Sequence, residues 1–320
     1  MVTNWLAELD GRRVAVEVPA SSANLGAGYD CLAVALGLTN RIEVEVRGWS
    51  RGEIELAVDG EGVGELTEDR DNRCVRGVEA ALRTIRGELP DGVGWRITMH
   101  NEIPLARGLG SSAAATVAGL VAGNALFGEP LTVTDLLRLA TEIEGHPDNA
   151  AAALLGGFVV TAAIDGAVEA LRFDSPRDLR AILFVPELRL PTDKMRAILP
   201  DTVPREDAVS NLKRVAIGVA GMATGRFDLL RVLTVDRLHE PYRTDVFPEL
   251  PRFVEAARKA GAIGACLSGA GSTIISFSDS VRTITRIEGA FTAATVDTEL
   301  AGRILVVSPR NQGAHVVSVS

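Results

Sequence analysis

Two glycines and two serines stand together at the start of an alanine-rich run, in the segment Gly108-Leu-Gly-Ser-Ser112. Glycines let backbone N–H groups turn towards an anion, and a helix that begins here adds the positive end of its dipole. The two hydroxyl groups can reach phosphate oxygens or Mg²⁺. The segment therefore predicts a loop that holds a polyphosphate. The alternative is a glycine turn that merely starts a helix.

This loop differs from two familiar nucleotide-binding patterns. It is not a Walker A loop, because no Gly-Lys-Ser or Gly-Lys-Thr follows. It does fit the loose Gly-x-Gly-x-x-Ala dinucleotide pattern through Gly108, Gly110 and Ala113. A second helix is predicted, however, where the dinucleotide fold needs a strand that ends in Asp or Glu. The dinucleotide interpretation is therefore disfavoured.

Two other glycine-containing segments are candidates for ligand binding. The loop at residues 19–30 contains an amide and a carboxylate, Asn24 and Asp30, between glycines, which suits the binding of a small polar substrate. A surface turn is the alternative. The segment Leu267-Ser-Gly-Ala-Gly-Ser272 precedes a predicted strand and could close over the same ligand. Taken alone, such a segment more often marks a tight turn.

Polar residues also cluster in His146-Pro-Asp-Asn149, with Glu142 and Glu144 just before it. The cluster lacks the spaced second histidine of a zinc site, so helix capping is the favoured role for His146 and Asp148. Glu142 and Glu144 would differ by about 200° around a helix. Only one of these two carboxylates can therefore face a site.

The elements that must position these segments are predicted from hydrophobic periodicity. Alternation predicts strands, and apolar residues three and four apart predict helices. The predicted strands are 14–18 (ended by Pro19), 41–47, 95–99, 158–164, 181–185, 273–277 and 303–307. The predicted helices are 71–85, the alanine-rich run that stops at Gly128, 134–145 with Thr134 as N-cap, 206–223 and 250–259. This order predicts an α+β protein with antiparallel or mixed sheets.

Composition limits the class of protein. The chain has 320 residues, of which 47% are hydrophobic and 23% charged, values typical of a globular enzyme, and its length predicts two domains. We expect these domains at residues 1–168 and 169–320, because the pattern changes near 165–176. A net charge of -9 argues against nucleic acid or an anionic membrane as a partner.

The sequence also bears on location and on cysteine chemistry. The N-terminus has neither the basic start nor the apolar run of a signal peptide, and the apolar segment 113–127 is too short to span a bilayer. A cytoplasmic location is therefore expected. Cys31, Cys74 and Cys266 lie far apart, which favours buried free thiols over disulfides or a thiolate metal site.

Three of these segments, in order along the chain, resemble the three motifs of the GHMP kinase superfamily. The first motif matches residues 19–30, the second matches 104–114 and the third matches 267–272. One such motif alone would be weak evidence, whereas three in order over most of the chain are specific. The resemblance implies a two-domain GHMP kinase fold of the α+β class, with an active site between the domains.

Within that superfamily the chain is similar to the homoserine kinases. The similarity rests on the Asn-Leu-Gly-x-Gly-Tyr-Asp form of the first motif, on Glu144-Gly-His-Pro-Asp-Asn149, on Arg196 within residues 192–200 and on His239-Glu-Pro-Tyr-Arg243. It implies that ATP, with Mg²⁺, phosphorylates the side-chain hydroxyl of L-homoserine. The rivals are a GHMP kinase for mevalonate, shikimate or a sugar, and a non-catalytic nucleotide or metabolite sensor. The number of subunits is left open, a homodimer included.

The resemblance also implies roles for individual residues. Those expected to bind ATP are Asn72, near the adenine, and Pro104, Leu105, Ala106, Arg107, Gly108, Leu109, Gly110, Ser111, Ser112, Ala113, Ala114, Gly269 and Gly271. Those expected to act in catalysis are Asn24, Asp30 and Ser112. Those expected to bind the substrate are Asn24 and Asp30 at the hydroxyl end, Asn149, Arg196 and Arg243 at the amino-acid end, and His146. The expected metal ligands are Ser112 and Glu142.

Two positions depart from the superfamily pattern. In some members a magnesium-binding glutamate lies eleven residues before the position of Asn149, where this chain has Arg138. We therefore assign the metal role to Glu142, one helical turn closer on the same face. The aspartate that serves as base in mevalonate kinase falls at Asn149, which cannot accept a proton. We expect Asp30 to orient the substrate hydroxyl instead.

Overall fold

The computed structural model describes residues 8–48, 52–89 and 92–320. The strands in these ranges are β1 (Arg13–Ala23), β2 (Leu32–Arg47), β3 (Ile54–Gly60), β4 (Gly94–Asn101), β5 (Phe158–Ile164), β6 (Ala167–Phe173), β7 (Arg180–Pro186), β8 (Gly264–Leu267), β9 (Ile274–Ser278), β10 (Gly302–Val307) and β11 (His315–Val319). The helices are α1 (Arg73–Arg86), α2 (Ser111–Leu126), α3 (Val133–Glu144), α4 (Asp148–Leu155), α5 (Thr192–Ala197), α6 (Arg205–Ala223), α7 (Leu230–Leu233), α8 (Glu240–Arg243), α9 (Leu250–Lys259) and α10 (Val281–Thr298). Residues 1–7, part of the segment on which the absence of a signal peptide was predicted, lie outside these ranges.

The first sheet is built around the long strand β2. Within the described ranges it has seven strands, in the order β11-β1-β2-β4-β3, with β5 joined to β2 and β6 joined to β5. Strand β2 pairs with β4 through residues 40–47 and with β5 through residues 32–34. Strands β3 and β4 are parallel and the other pairs are antiparallel. The predicted α+β class with a mixed sheet is confirmed.

Helix α2 packs against α1 so closely that their backbones touch. A Cβ on Gly119 would lie 2.1 Å from Cys74 O, and a Cβ on Gly77 would lie 2.4 Å from Thr116 O. Glycine is therefore required at both crossing points, since protein interiors leave no spare volume there. Helix α2 also contacts α3, α4 and β1. These contacts fix the N-terminus of α2, where the glycine loop ends.

A second, smaller sheet has its own core. Its strand order is β10-β7-β9-β8, and each neighbouring pair is antiparallel. The rings of Phe184 and Phe253 stack with centroids 4.2 Å apart, and Phe291 packs against both. Burying rings of this size stabilises the sheet by about 1.5–3 kcal/mol each. This core holds the β8–β9 connection, which contains the third glycine segment.

Three predicted boundaries are wrong. Strand β2 begins at Leu32, nine residues before the predicted start at residue 41. Strand β1 does not end at Pro19 but continues to Ala23, with a register shift just after the proline that accommodates its missing N–H. The N-cap of α3 is Thr132 rather than Thr134, because Thr132 forms a capping box with Asp135.

The division after residue 168 does not coincide with a break between the sheets. It falls inside β6, which belongs to the first sheet, and β11 returns to that sheet from the end of the chain. Cys74 and Cys266 are buried free thiols as predicted, whereas Cys31 is partly exposed. Among the helices of the described ranges, none is both long and apolar enough to cross a membrane.

Candidate active site

A cavity of about 510 Å³ joins the three glycine segments. Every residue from Pro104 to Ala113 lines it, together with Asn24, Asn72 and Gly269. Two residues expected to bind ATP are not brought to the cavity. Ala114 is fully buried in the core of the first domain, and the missing side chain of Gly271 faces Leu267 and Leu190.

The loop before α2 has the geometry expected of a phosphate site. Gly108 and Gly110 adopt φ of 71° and 70°, the left-handed region that favours glycine. A Cβ on Gly110 would lie 2.1 Å from Ser21 Oγ. No side chain caps the helix at Gly110, so the first N–H groups of α2 are available at the cavity wall. The prediction that a helix begins at this loop is confirmed, and that the loop holds a polyphosphate stays a prediction.

The third glycine segment, which connects β8 and β9 of the second sheet, forms hydrogen bonds with the loop before α2. Ser268 Oγ donates a hydrogen bond to Gly108 O at 2.6 Å, and lies 2.8 Å from Ser22 Oγ of β1. Gly269 O accepts hydrogen bonds of 2.9 Å from Asn24 Nδ2 and from Arg243 Nη1. The segment is therefore more than a tight turn, because it ties the other two segments together.

The carboxylate beside the phosphate loop belongs to Glu144, not to Glu142. Ser112 Oγ and Thr116 Oγ1 donate to Glu144 Oε1 at 3.1 and 2.6 Å. The Glu142 side chain is 59% exposed and forms an ion pair with Arg138, 2.5 Å away on the outer face of α3. The position predicted for Glu142 is therefore wrong, since α3 turns this side chain away from the cavity. Only one of the two carboxylates faces the site, as the helix geometry requires.

The donor set near Ser112 suits Mg²⁺ better than a transition metal. In the described ranges, no group of three or more His, Cys, Asp and Glu side chains could hold a metal ion by itself. Magnesium is usually bound by one or two carboxylates together with substrate phosphates and water. The Glu144 carboxylate and the Ser112 hydroxyl, beside a phosphate-type loop, fit that arrangement.

Arg196 and Tyr29 line the substrate end of the cavity, and Asp30, which does not line it, forms an ion pair with Arg196. Arg196 donates to both carboxylate oxygens of Asp30, at 2.6 and 2.9 Å, and to Tyr29 Oη at 3.1 Å. The hydrogen bond to Asp30 raises the pKa of Arg196 above its usual value. Burial, and then the charge of Asp30, raise the pKa of Tyr29. Asn24 Oδ1 accepts the backbone N–H of Asp30 at 3.1 Å, so the two predicted residues of this loop are adjacent.

Arg243 is buried, with only 1% of its surface exposed. Its guanidinium lies 5.8 Å from the centroid of the Tyr29 ring, and that of Arg196 lies 5.6 Å from the same centroid. Burial lowers the pKa of Arg243. The two arginines predicted to bind substrate therefore meet at one aromatic ring, from different helices, α5 and α8.

The segment before α4 contributes a histidine, an aspartate and an amide. His146 Nδ1 lies 2.8 Å from Asp148 Oδ1, and this hydrogen bond raises the pKa of the imidazole. Asn149 N donates to the same carboxylate oxygen at 2.7 Å, and Asn149 Oδ1 accepts from Ser21 Oγ at 2.9 Å. All three side chains line the cavity. Asp148 thus orients its two neighbours, as well as beginning α4.

Asn72 lines the cavity, as do the apolar residues Leu66, Met99 and Leu105. Its Oδ1 caps α1 by accepting from Cys74 N at 3.0 Å, and its Nδ2 donates to Thr67 O at 3.0 Å. Both polar groups of the Asn72 side chain are therefore used in local hydrogen bonds. The cavity surface that Leu66, Met99 and Leu105 contribute is apolar. An adenine pocket here stays a prediction.

Comparison with known proteins decides the family. The model described as GHMP kinases N terminal domain matches residues 73–157, and that described as GHMP kinases C terminal matches residues 219–295. A homoserine kinase of Moorella thermoacetica is 39% identical over 302 residues, 94% of this chain and 99% of that protein. The chain belongs to the homoserine kinases of the GHMP superfamily.

Two further comparisons agree with this homoserine kinase assignment. A homoserine kinase of Corynebacterium efficiens is 43% identical over 272 residues, 83% of this chain and 85% of that protein. The crystal structure of homoserine kinase from Cytophaga hutchinsonii has a TM-score of 0.83 and 29% identity, and the match covers 95% of this chain and 97% of that one. The predicted GHMP kinase fold is confirmed.

Sequence reasoning missed Tyr29, which lines this homoserine kinase cavity, and His239, which is buried and contacts Arg243. Tyr29 lies next to Asp30 in the first motif, and only its position there could have indicated a role. Arg107 was expected to bind ATP, but its link to the second sheet was not predicted: it donates to Pro186 O at 2.7 Å, a contact with no local sequence pattern. His239 stands four residues before Arg243, a helical spacing that places both on one face.

Proposed function

We propose that this chain transfers the γ-phosphoryl group of ATP to the side-chain hydroxyl of L-homoserine, giving O-phospho-L-homoserine for threonine biosynthesis. The observation that supports it is one cavity with a phosphate-type loop at one end and Arg196 and Arg243 at the other, where Arg196 is paired with Asp30. An acceptor with a carboxylate and a hydroxyl matches the second end. Family membership points to the same acceptor.

At the nucleotide end, backbone N–H groups rather than a lysine bind the phosphates of ATP. The free N–H groups at the start of α2 and the dipole of this helix favour the phosphates of ATP. Ser112 and Glu144 are the residues that would hold Mg²⁺. When bound, Mg²⁺ neutralises charge on the phosphate oxygens. Asn72 and the apolar residues around it are the proposed neighbours of the adenine.

The substrate end offers a match for two polar groups of homoserine, its carboxylate and its hydroxyl. Arg243 offers the two hydrogens of Nη2 to the carboxylate, because this nitrogen has no hydrogen-bond partner among the described residues. Asp30 is the acceptor that orients the hydroxyl. In this structure Asp30 bonds to Arg196 instead. A bound homoserine carboxylate competes for Arg196 and frees oxygen positions on Asp30.

Phosphoryl transfer at this site depends on alignment. Asn149 cannot take the hydroxyl proton, because an amide is not a base, and its Oδ1 already accepts from Ser21. The transition state for phosphoryl transfer is largely dissociative, so positioning and charge neutralisation supply most of the rate enhancement. Asn24, which holds Asp30 through its backbone, supports that alignment.

Release of ADP distinguishes the kinase from a sensor with the same fold. Purified protein with ATP and Mg²⁺ should release ADP only when L-homoserine is added. ATP binding by calorimetry, with no ADP release on adding homoserine, would contradict the proposal and favour a sensor. A cytoplasmic location stays a prediction, and the number of subunits stays open.

A further inference from the structure

His239 lies behind the substrate end of the cavity and contacts two of its parts. The side chain is fully buried. Its Nδ1 lies 2.9 Å from Arg243 Nη1, and its Nε2 lies 2.8 Å from Gly26 O. Gly26 belongs to the loop that contains Asn24 and Asp30. One imidazole thus touches both a substrate-end arginine and the substrate loop.

The two partners determine the protonation of His239. A guanidinium only donates hydrogen bonds, so Nδ1 must be the acceptor. A carbonyl oxygen only accepts, so Nε2 must carry the hydrogen. His239 is therefore a neutral Nε2–H tautomer. Burial favours the same state, since it lowers the pKa of this imidazole to about 4 against the opposing charge of Asp236.

Asp236 makes this arrangement rigid. Its Oδ2 accepts the backbone N–H of His239 at 2.7 Å, and its Oδ1 accepts from Asn211 Nδ2 at 2.7 Å. Asn211 Nδ2 also donates to Ala27 O at 3.2 Å. His239 and Asn211, both fixed by one carboxylate, thus hold the consecutive carbonyl groups of Gly26 and Ala27. These hydrogen bonds tie the substrate loop to both residues.

His239 also decides which edge of Arg243 faces the cavity. Arg243 Nη1 donates to His239 Nδ1 and to Gly269 O, both at 2.9 Å. These two bonds use both hydrogens of Nη1. Within the described part of the chain Nη2 has no such partner, which leaves that nitrogen for a ligand. Without the acceptor on His239, the guanidinium could rotate and present a different edge.

We infer that His239 is a positioning residue with two separable effects. Through Arg243 it sets the affinity for the substrate carboxylate, and through Gly26 it sets the placement of Asp30 at the substrate hydroxyl. The first effect governs the KM for homoserine and the second governs kcat. This inference rests on the proposed function.

Two substitutions separate the two contacts. His239→Gln places an amide nitrogen near the position of Nε2, so it keeps the bond to Gly26 and loses the acceptor for Arg243. His239→Asn places an amide oxygen near the position of Nδ1, so it keeps Arg243 and loses Gly26. We expect His239→Gln to raise the KM for homoserine on the order of tenfold with a smaller change in kcat, and His239→Asn to lower kcat on the order of tenfold with a smaller change in KM.

The controls make a failure interpretable. His100→Gln, at an exposed histidine of β4, should leave both parameters unchanged. The Kd for ATP should be the same in all variants, because no contact of His239 reaches the phosphate loop. Equal changes of KM and kcat in the Gln and Asn variants, or no change in either, would overturn the inference. A wild-type protein that releases no ADP with homoserine would instead overturn the proposed function.

A measurement on the unmodified protein tests the same contacts if the variants do not fold. The charged and titratable groups facing His239 are Asp236, Arg243, Tyr29 and Asp30. With ¹⁵N-labelled histidine, one of the imidazoles should keep the shifts of the Nε2–H tautomer between about pH 5.5 and 8, and should move on addition of homoserine. Four imidazoles that all titrate in that range, or an untitrated one that homoserine does not perturb, would overturn the inference.

Discussion

Gly110 occupies the point at which the phosphate loop, β1 and α4 approach one another. A Cβ there would lie 2.1 Å from Ser21 Oγ and 3.1 Å from Asn149 Oδ1. Gly110→Val should therefore abolish ATP binding, because the side chain displaces the loop that the phosphates need. Gly128→Val is the matched control, since Gly128 has φ of 78° just beyond the other end of α2 and open space around it. Calorimetry showing unchanged ATP affinity in folded Gly110→Val would refute the phosphate site.

Glu144 and Glu142 form a natural pair for testing the metal site. Glu144 bonds to Ser112 at the cavity, whereas Glu142 faces solvent with Arg138. Glu144→Gln should raise the concentration of Mg²⁺ that gives half-maximal activity, because an amide binds a hard cation more weakly than a carboxylate. Glu142→Gln should leave it near the wild-type value. Magnesium titrations in which Glu142→Gln is the more sensitive variant would reverse the assignment.

Arg243 should account for the preference for an acceptor with a carboxylate. Arg243→Leu should cost roughly 2–4 kcal/mol in kcat/KM for L-homoserine, the range for breaking a desolvated charged pair. 3-Aminopropan-1-ol is homoserine without its carboxylate, so its kcat/KM should change much less in the same variant. Steady-state kinetics with both acceptors at saturating ATP measures the difference. Equal losses for the two acceptors would mean that Arg243 does not bind the carboxylate.

At the scale of elements, the short helix α8 carries a partly buried acid, Glu240, whose protonation differs between the folded and unfolded chain. Burial raises the pKa of Glu240 to about 8, and its Oε1 accepts from Leu267 N at 2.8 Å. A carboxyl whose pKa is raised on folding stabilises the fold fully below its unfolded pKa of 4.5, and that contribution is lost as pH rises through about 8.

Glu240→Gln keeps the oxygen that accepts from Leu267 and removes the titration. Relative to the wild-type protein, the variant should gain roughly 1–3 kcal/mol of unfolding free energy at pH 8 and much less at pH 5. The other titrating groups are common to both proteins, so the difference between their Tm values isolates Glu240. A Tm difference that does not vary with pH would show that Glu240 is ionised in the folded protein.

The sequence predicted elements where one local pattern dominates. Strand β5 and helix α9 have the predicted bounds, because their alternating and helical patterns are uninterrupted. Strand β1 was predicted too short, since a proline usually ends a strand and a bulge after Pro19 cannot be read from composition. Strand β11 was missed because its place depends on pairing with β1, almost three hundred residues earlier. Patterns within a segment cannot encode such a partner.

For the candidate site, the sequence predicted the segments that form the cavity but not all of the contacts between them. The three motifs located the cavity, because glycines that permit close backbone approach leave a sequence pattern. The choice between Glu142 and Glu144 was wrong because it depends on how α3 is rotated about its axis, which the packing of α3 on α2 decides. The ion pair between Asp30 and Arg196 joins residues 166 positions apart. No local rule pairs these two charges.

At the scale of the whole molecule, neither sheet makes the site alone. The first sheet and its helices supply the phosphate loop, Asp30 and Glu144, whereas the second half supplies Gly269, Arg196 and Arg243. Gly269 O, in the β8–β9 connection, accepts from both Asn24 and Arg243 and so joins the two halves at the substrate end. Substrate choice therefore depends on residues from both halves of the chain and on the contacts that join them.

Competition between acceptors tests the central claim most directly. L-homoserine, mevalonate, shikimate and galactose, at equal concentration in one reaction with limiting ATP and Mg²⁺, would be followed by ³¹P NMR of the products. The cavity with a buried arginine at one end and a phosphate loop at the other predicts that the phosphate of ATP appears on the side-chain oxygen of homoserine. Phosphate found mainly on mevalonate, shikimate or galactose, or no acceptor phosphorylated at all, would contradict the account.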